Sequence, residues 1–264
     1  MTLNQTASSL GRDVSAQTLA TKISGDLRAA IIRGELRPGE KLHVDLLRDH
    51  FAVSLSPVRE ALSRLSSAGF VEMQDQRGYR VAGVSPENLI EVTTLRTELE
   101  PLALRQALAH ADDAWRDRLA TAWEALKALP RCPADMGDDE AWEAAHRRFH
   151  FAMLAGCELP MLLSFVAVLH DMSDRYRRLF LQSNPHDRDV PQEHRRIFEA
   201  VMGDEAELAC ALLRQHIQRT GQNVRTALAA SPVPNETVGL GPYLGSWGAR
   251  HSKFAGSSVD PAPR

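Results

Sequence analysis

The stretch Val53-Ser54-Leu55-Ser56-Pro57-Val58-Arg59-Glu60-Ala61-Leu62 reads as the start of a helix whose first turn is dressed for phosphate and base edges. Serines at a helix start leave backbone N–H groups and hydroxyls available to anions. Proline in the first turn costs no hydrogen bond, and Arg59 follows about one turn further on. Val58, Ala61, Leu62 and Leu65 keep a helical period that packs the opposite face. The pattern is that of a recognition helix.

The flanks extend this reading. Upstream, Ile23, Leu27, Ile31 and Ile32 define an amphipathic helix that stops at Arg33-Gly34, before the turn at Pro38-Gly39. A short helix over residues 44–50 leads through Phe51-Ala52-Val53 into the third. Downstream, Phe70-Val71-Glu72-Met73-Gln74 and Tyr79-Arg80-Val81 alternate as two short strands around a turn containing Gly78. Three helices and a hairpin predict a winged helix-turn-helix over residues 18–82, preceded by a flexible N-terminus at 1–17.

Composition places this unit in a larger protein. At 264 residues with 44% apolar side chains, the chain is long enough to bury two cores. No apolar run approaches 18 residues, and Met1-Thr2-Leu3-Asn4-Gln5 lacks the basic start and apolar core of a signal peptide, so a cytoplasmic protein with no membrane partner is expected. The three cysteines, Cys132, Cys157 and Cys210, are scattered and odd in number, which argues against a disulfide framework or a thiolate metal cluster. Charge divides unevenly. Residues 18–82 carry ten Lys and Arg against eight Asp and Glu, whereas residues 83–264 carry twenty against twenty-five. The basic excess sits with the helix-turn-helix, but it is small, so DNA binding depends on where the side chains point and on two copies acting together.

A second domain follows Ala82-Gly83-Val84-Ser85-Pro86, where Ser85 can cap a helix opening with Pro86. Helical pattern then runs through residues 86–110, 112–129, 138–156, 160–182, 190–202 and 204–229, broken by short punctuation such as Pro130-Arg131-Cys132-Pro133 and Asn184-Pro185. The expected fold class is mainly α: the winged helix-turn-helix, then an all-α six-helix bundle over 83–230. Residues 231–264, with five prolines among Gly and Ser, are expected to form a disordered tail.

The N-terminal unit resembles the GntR family of bacterial transcription regulators. The resemblance rests on Ile32-Arg33-Gly34-Glu35-Leu36-Arg37-Pro38-Gly39-Glu40-Lys41-Leu42, on Ser54 to Leu62, on Gly69-Phe70-Val71 and on Arg77-Gly78-Tyr79-Arg80-Val81. It implies a recognition helix in the major groove and a wing at the minor groove, with Ser54, Leu55, Ser56, Pro57, Arg59, Arg77 and Gly78 at the DNA. Leu55 departs from the family pattern, which usually has arginine there. A bidentate guanine contact, worth about 1–3 kcal/mol of discrimination, is therefore absent at this position or supplied elsewhere.

In the bundle, His146 and His150 are four residues apart and so project from one helix face, while His194 and His216 lie on the last two helices. Three or four imidazoles from neighbouring helices suit a divalent metal ion, zinc or nickel above all. On spacing alone, an i,i+4 histidine pair is more often a solvated face.

The bundle also resembles the ligand-sensing FCD domain of the FadR branch of that family. The likeness is carried by Leu95-Arg96-Thr97-Glu98-Leu99-Glu100, Phe149-His150, Glu193-His194-Arg195-Arg196-Ile197-Phe198-Glu199-Ala200 and Gly203 to Ala209 leading to His216. It implies a metal held by three histidines and an aspartate, mapping onto His150, His194 and His216, with His146 where the aspartate is expected. Four neutral imidazoles leave the ion its full charge and favour an anion in an open position. By the same resemblance Arg96 faces the effector, a small organic acid, although pairing with Glu100 on its own helix is an equal reading. The run Arg175-Tyr176-Arg177-Arg178 reads as a charged, solvated face. Six helices favour a VanR-like subgroup.

Two functions of different classes emerge. One is a homodimeric, ligand-responsive repressor that reads an inverted-repeat operator and is released by a small organic acid. The other is a metal-dependent hydrolase with an accessory DNA-binding domain, but no Asp or Glu has a spacing that marks a general base.

Overall fold

The computed structural model describes residues 4–75, 77–129, 140–181 and 189–230. They fold as two units that divide between Gly83 and Val84. The expected tail at 231–264, Cys132 and the Pro130 to Pro133 break lie outside the described residues.

The first unit contains α1 (Asn4–Ile32), β1 (Lys41–Leu42), α2 (Val44–Phe51), α3 (Leu55–Ser67), β2 (Val71–Gln74) and β3 (Gly78–Val81). Helix α1 begins at Asn4. Residues 4–17 contain no proline, so no residue there breaks the helix outright. The helix ends at Gly34, whose φ of 74° lets the Glu35 N–H reach the Ala30 carbonyl at 3.0 Å. The wing is a three-stranded antiparallel sheet ordered β1-β3-β2. Strand β1 was not anticipated, because two residues are too few to show an alternation. Ile23, Leu27, Ile31, Leu47, Val58, Leu62, Leu65 and Phe70 are all buried, so the apolar stripe of each of the three helices is used.

Between α2 and α3 the chain turns at Ala52, which adopts the left-handed conformation with φ 52° and ψ 45°. The Val53 N–H reaches the Arg48 carbonyl at 3.2 Å and the Ala52 N–H reaches that of Asp49 at 3.3 Å. This double closure ends α2 and starts the turn into α3, with an alanine where glycine is the usual residue.

The second unit comprises α4 (Pro86–Ala109), α5 (Asp113–Lys127), α6 (Glu140–Leu154), α7 (Pro160–Leu181), α8 (Val190–Met202) and α9 (Ala206–Ala230). Ser85, Asp112 and Asp189 cap α4, α5 and α8 by accepting the N–H groups of Asn88, Trp115 and Gln192. Pro101 interrupts α4 and leaves the Thr97 carbonyl without its helical donor. Arg214 of α9 fills that role, its Nε donating to Thr97 O at 3.2 Å.

Two apolar clusters fill this unit. The larger joins Leu104, Trp115, Trp123, Phe149, Ile197 and Leu213, and the smaller joins Val84, Leu89, Tyr176, Phe180, Val224 and Leu228. Along α4 and α7 the residues between these clusters are buried and polar: Arg96 and Glu100 on one helix, His170, Asp171 and Asp174 on the other. A polar layer thus crosses the bundle interior.

Candidate metal and ligand site, and the DNA-facing helix

The polar layer gathers the four histidines expected from the sequence. His146 and His150 come from α6 one turn apart, His194 from α8 and His216 from α9, and all four are buried. One nitrogen from each lies within 4.8 Å of the others. His150 Nε2 and His194 Nε2 are 3.3 Å apart. A tetrahedral shell with bonds of about 2.1 Å places its nitrogens ~3.4 Å from one another, so this pair already has the separation and the widest needs to close by roughly an ångström.

The protonation chemistry agrees. Burial, then the charges of neighbouring His150, Arg177 and other histidines, holds His146 well below the usual histidine range. Burial, then His194, His216 and His170, does the same for His150. Both rings are therefore neutral at pH 7 and offer lone pairs. The buried Nδ1 atoms of His146 and His150 have no hydrogen-bond partner, which is costly unless something else occupies the cluster. His216 is oriented differently. Its Nδ1 meets Glu193 Oε2 at 2.9 Å, and because a carboxylate only accepts, that nitrogen carries the proton and Nε2 keeps its lone pair. The donor set fits a divalent ion.

Arg96 is buried in the same layer. Its Nε donates to Glu100 Oε1 at 2.6 Å and its Nη1 to Ser173 Oγ at 2.5 Å. It therefore pairs on its own helix while standing close enough to depress His150 electrostatically.

The run Arg175-Tyr176-Arg177-Arg178 is corrected by the structure. All four residues are buried rather than solvated, with Arg177 7% and Arg178 9% exposed. The reason is charge pairing across α6 and α7. Arg177 Nη1 donates to Glu143 at 2.6 Å and Nη2 to Asp174 at 3.1 Å, while Arg178 meets Glu140 at 3.0 Å and Arg147 pairs with Asp171. Burial alone would raise the Asp174 carboxyl, but His170 and Arg177 beside it hold it well below the carboxylate range. Tyr176 faces the other way. Its hydroxyl accepts the Ser85 N–H at 3.0 Å and lies 3.0 Å from Asn88 Oδ1. Sequence reasoning passed over His170 and Asp174, although His170, Asp174, Arg177 and Arg178 follow an i, i+4, i+7, i+8 helical stripe that marks one face.

In the first unit, Ser54 stands at the N-cap of α3 with extended backbone and makes no side-chain cap bond. Ser54, Ser56, Arg59, Arg77 and Gly78 are exposed, and Leu55 is half-buried. Pro57 is buried, so it shapes the helix start from within. Arg64 is tied to Glu60 and Thr21, whereas the Arg59 and Arg77 side chains have no ion-pair or hydrogen-bond partner among the described residues. Gly78 has a φ of 84° at the wing tip.

Residues 19–81 match the bacterial regulatory proteins of the gntR family, and residues 91–219 match the FCD domain. The chain is 31% identical over 209 residues to the HTH-type transcriptional repressor GlaR of Escherichia coli, across 78% of this chain and 95% of that relative. This protein belongs to the GntR family. It is a ligand-responsive, DNA-binding transcription regulator with an FCD domain, and the rival reading as a hydrolase is set aside. This GntR regulator is also 34% identical over 203 residues to the HTH-type transcriptional regulator BphR of Paraburkholderia xenovorans, across 75% of this chain and 82% of the relative. In fold it is similar to E. coli McbR/YncC, with a TM-score of 0.66 at 22% identity over 79% of this chain and 97% of the other. No helix among the described residues is long and apolar enough to cross a membrane.

Proposed function

We propose that this GntR regulator is a homodimeric, cytoplasmic repressor that leaves its operator when a small organic acid binds beside a metal ion in the FCD domain. The observation that carries the reading is the convergence of four buried imidazoles, with one nitrogen of each within 4.8 Å of the rest. An all-nitrogen, borderline-soft donor set suits zinc or nickel, and His146 serves as a ligand in the place of the family's aspartate. A bound divalent ion supplies a Lewis-acidic position whose charge no ligand carboxylate offsets, and this attracts a carboxylate. Arg96 contributes a guanidinium to the same layer and exchanges Glu100 for the acid. The six helices of the second unit support a VanR-like subgroup.

At the DNA, Ser54 and Ser56 present hydroxyls and Arg59 an unpaired guanidinium in the major groove, with Leu55 making an apolar contact. Pro57 acts indirectly by setting the helix start. Arg77 and Gly78 bring the wing to the minor groove. Two recognition helices, one from each copy, read an inverted repeat. The repressor assignment is supported by the naming of GlaR as a repressor. Release requires the acid to bind one arrangement of the dimer better than the other.

Mobility-shift titration of the metal-loaded protein on its own promoter region, with and without candidate acids, tests the reading. Release of DNA by one acid is the expected result. DNA binding that no acid alters would overturn it.

A further inference from the structure

A fifth imidazole stands beside the four histidines, and the metal reading makes no use of it. His170 is 2% exposed on α7. Its ring centroid lies 5.5 Å from that of His150 and 6.4 Å from that of His146. Its Nδ1 is 3.4 Å from Asp174 Oδ2, an ion-pair separation, and Asp174 is held in turn by Arg177. Both of its ring nitrogens are buried without a hydrogen-bond partner, and the contact to Asp174 is made by Nδ1 alone. A leucine or phenylalanine would fill this space, against the ring of Phe151 at 5.1 Å, with no nitrogen to strand. A buried polar atom kept in this way is suited to a partner that arrives from outside.

That partner is not the ion itself. The donor atoms of His146, His150, His194 and His216 cluster within 4.8 Å, and His170 is outside that set. Four imidazoles already supply a zinc-type shell, so an imidazole outside that set meets the ion only through what the ion binds. We propose that His170 is a ligand-contact residue whose Nε2 hydrogen-bonds an oxygen of the small acid seated on the metal, with Asp174 fixing the ring from behind. This rests on the metal reading of the four histidines, and it assigns the position in the site that discriminates among acids.

The test uses the full chain loaded with cobalt(II), whose visible absorption reports its coordination, titrated with acetate. His170→Phe keeps the ring volume and removes both nitrogens. It is expected to retain one cobalt per chain by elemental analysis and to bind acetate roughly tenfold or more weakly. Asp174→Asn is expected to weaken acetate by a smaller factor with cobalt retained. Unchanged acetate affinity in His170→Phe would overturn this proposal alone, as would loss of its cobalt, which would make His170 a ligand. Cobalt bands in the unaltered protein that acetate does not move would also overturn it. Absence of cobalt from the unaltered protein would overturn the metal reading and this inference with it. If His170→Phe does not fold, judged by circular dichroism, His170→Leu carries the same comparison.

Discussion

Glu193 Oε2 lies 2.9 Å from His216 Nδ1, while Arg219 donates to the other oxygen of the same carboxylate at 3.0 Å. The carboxylate thus fixes one ring of the cluster in the tautomer that presents Nε2 inward. Replacing Glu193 with Gln removes the negative charge and lets the amide present N–H to that nitrogen, which favours the wrong tautomer. Zinc affinity is expected to fall 10- to 100-fold, read by competition with a chromogenic chelator. Equal affinity in the two proteins would show that the carboxylate does not orient the ring.

The two depressed histidines make the metal-free protein acid-sensitive. His146 and His150 are held neutral in the folded state by burial and by neighbouring positive groups, whereas in the unfolded chain they titrate near 6.5. Below that pH the unfolded chain binds more protons than the folded one, so stability falls as pH drops and is restored as it rises. Each ring contributes a slope approaching about 1.4 kcal/mol per pH unit well below 6.5. Urea unfolding of metal-free protein between pH 7 and pH 5 measures it, and His146→Gln should flatten the slope. An undiminished slope in that variant would contradict the assignment to His146.

At the recognition helix, Leu55 sits half-buried between exposed Ser54 and Ser56. Leu55→Arg places a bidentate donor at the groove and is expected to shift the preferred operator toward a guanine, by about 1–3 kcal/mol at one base pair. Selection of bound sequences from a randomised pool reads the change. Tighter binding with the same base preference would show that this position does not limit readout.

Ala52 adopts the left-handed conformation at the turn that aims α3. A side chain there strains the backbone, and glycine relieves it at some cost in unfolded-state entropy. Ala52→Gly is expected to stabilise the N-terminal unit by about 0.5–1 kcal/mol, seen as a higher urea midpoint. A lower midpoint would mean that the alanine methyl makes contacts worth more than the strain.

Much of this was legible from local patterns. The cap at Ser85, the apolar stripes of α1 and α3, and the paired spacing of His146 and His150 are properties of near neighbours in the chain, and the structure uses each of them. Strand β1 was not legible, since a two-residue strand exists only through its partner β3. Arg177 and Arg178 read as solvated because the run carries no local sign of Glu143 and Glu140, which balance them from α6. Nor does the chain announce that Arg214 completes the Thr97 carbonyl left open by Pro101, 117 residues away in sequence.

By itself the sequence determined which segments form helices, which helix is equipped to meet DNA, and which residue types could hold an ion, because periodicity, capping and side-chain chemistry are short-range. Only the tertiary structure decided that His146, His150, His194 and His216 converge, and that His170 stands beside them with neither ring nitrogen hydrogen-bonded. It likewise placed Arg96 and the α7 arginines in a buried, charge-balanced layer. Those outcomes depend on how three or four helices pack against one another, and burial is what turns a set of ordinary surface residue types into neutral imidazoles and desolvated ion pairs.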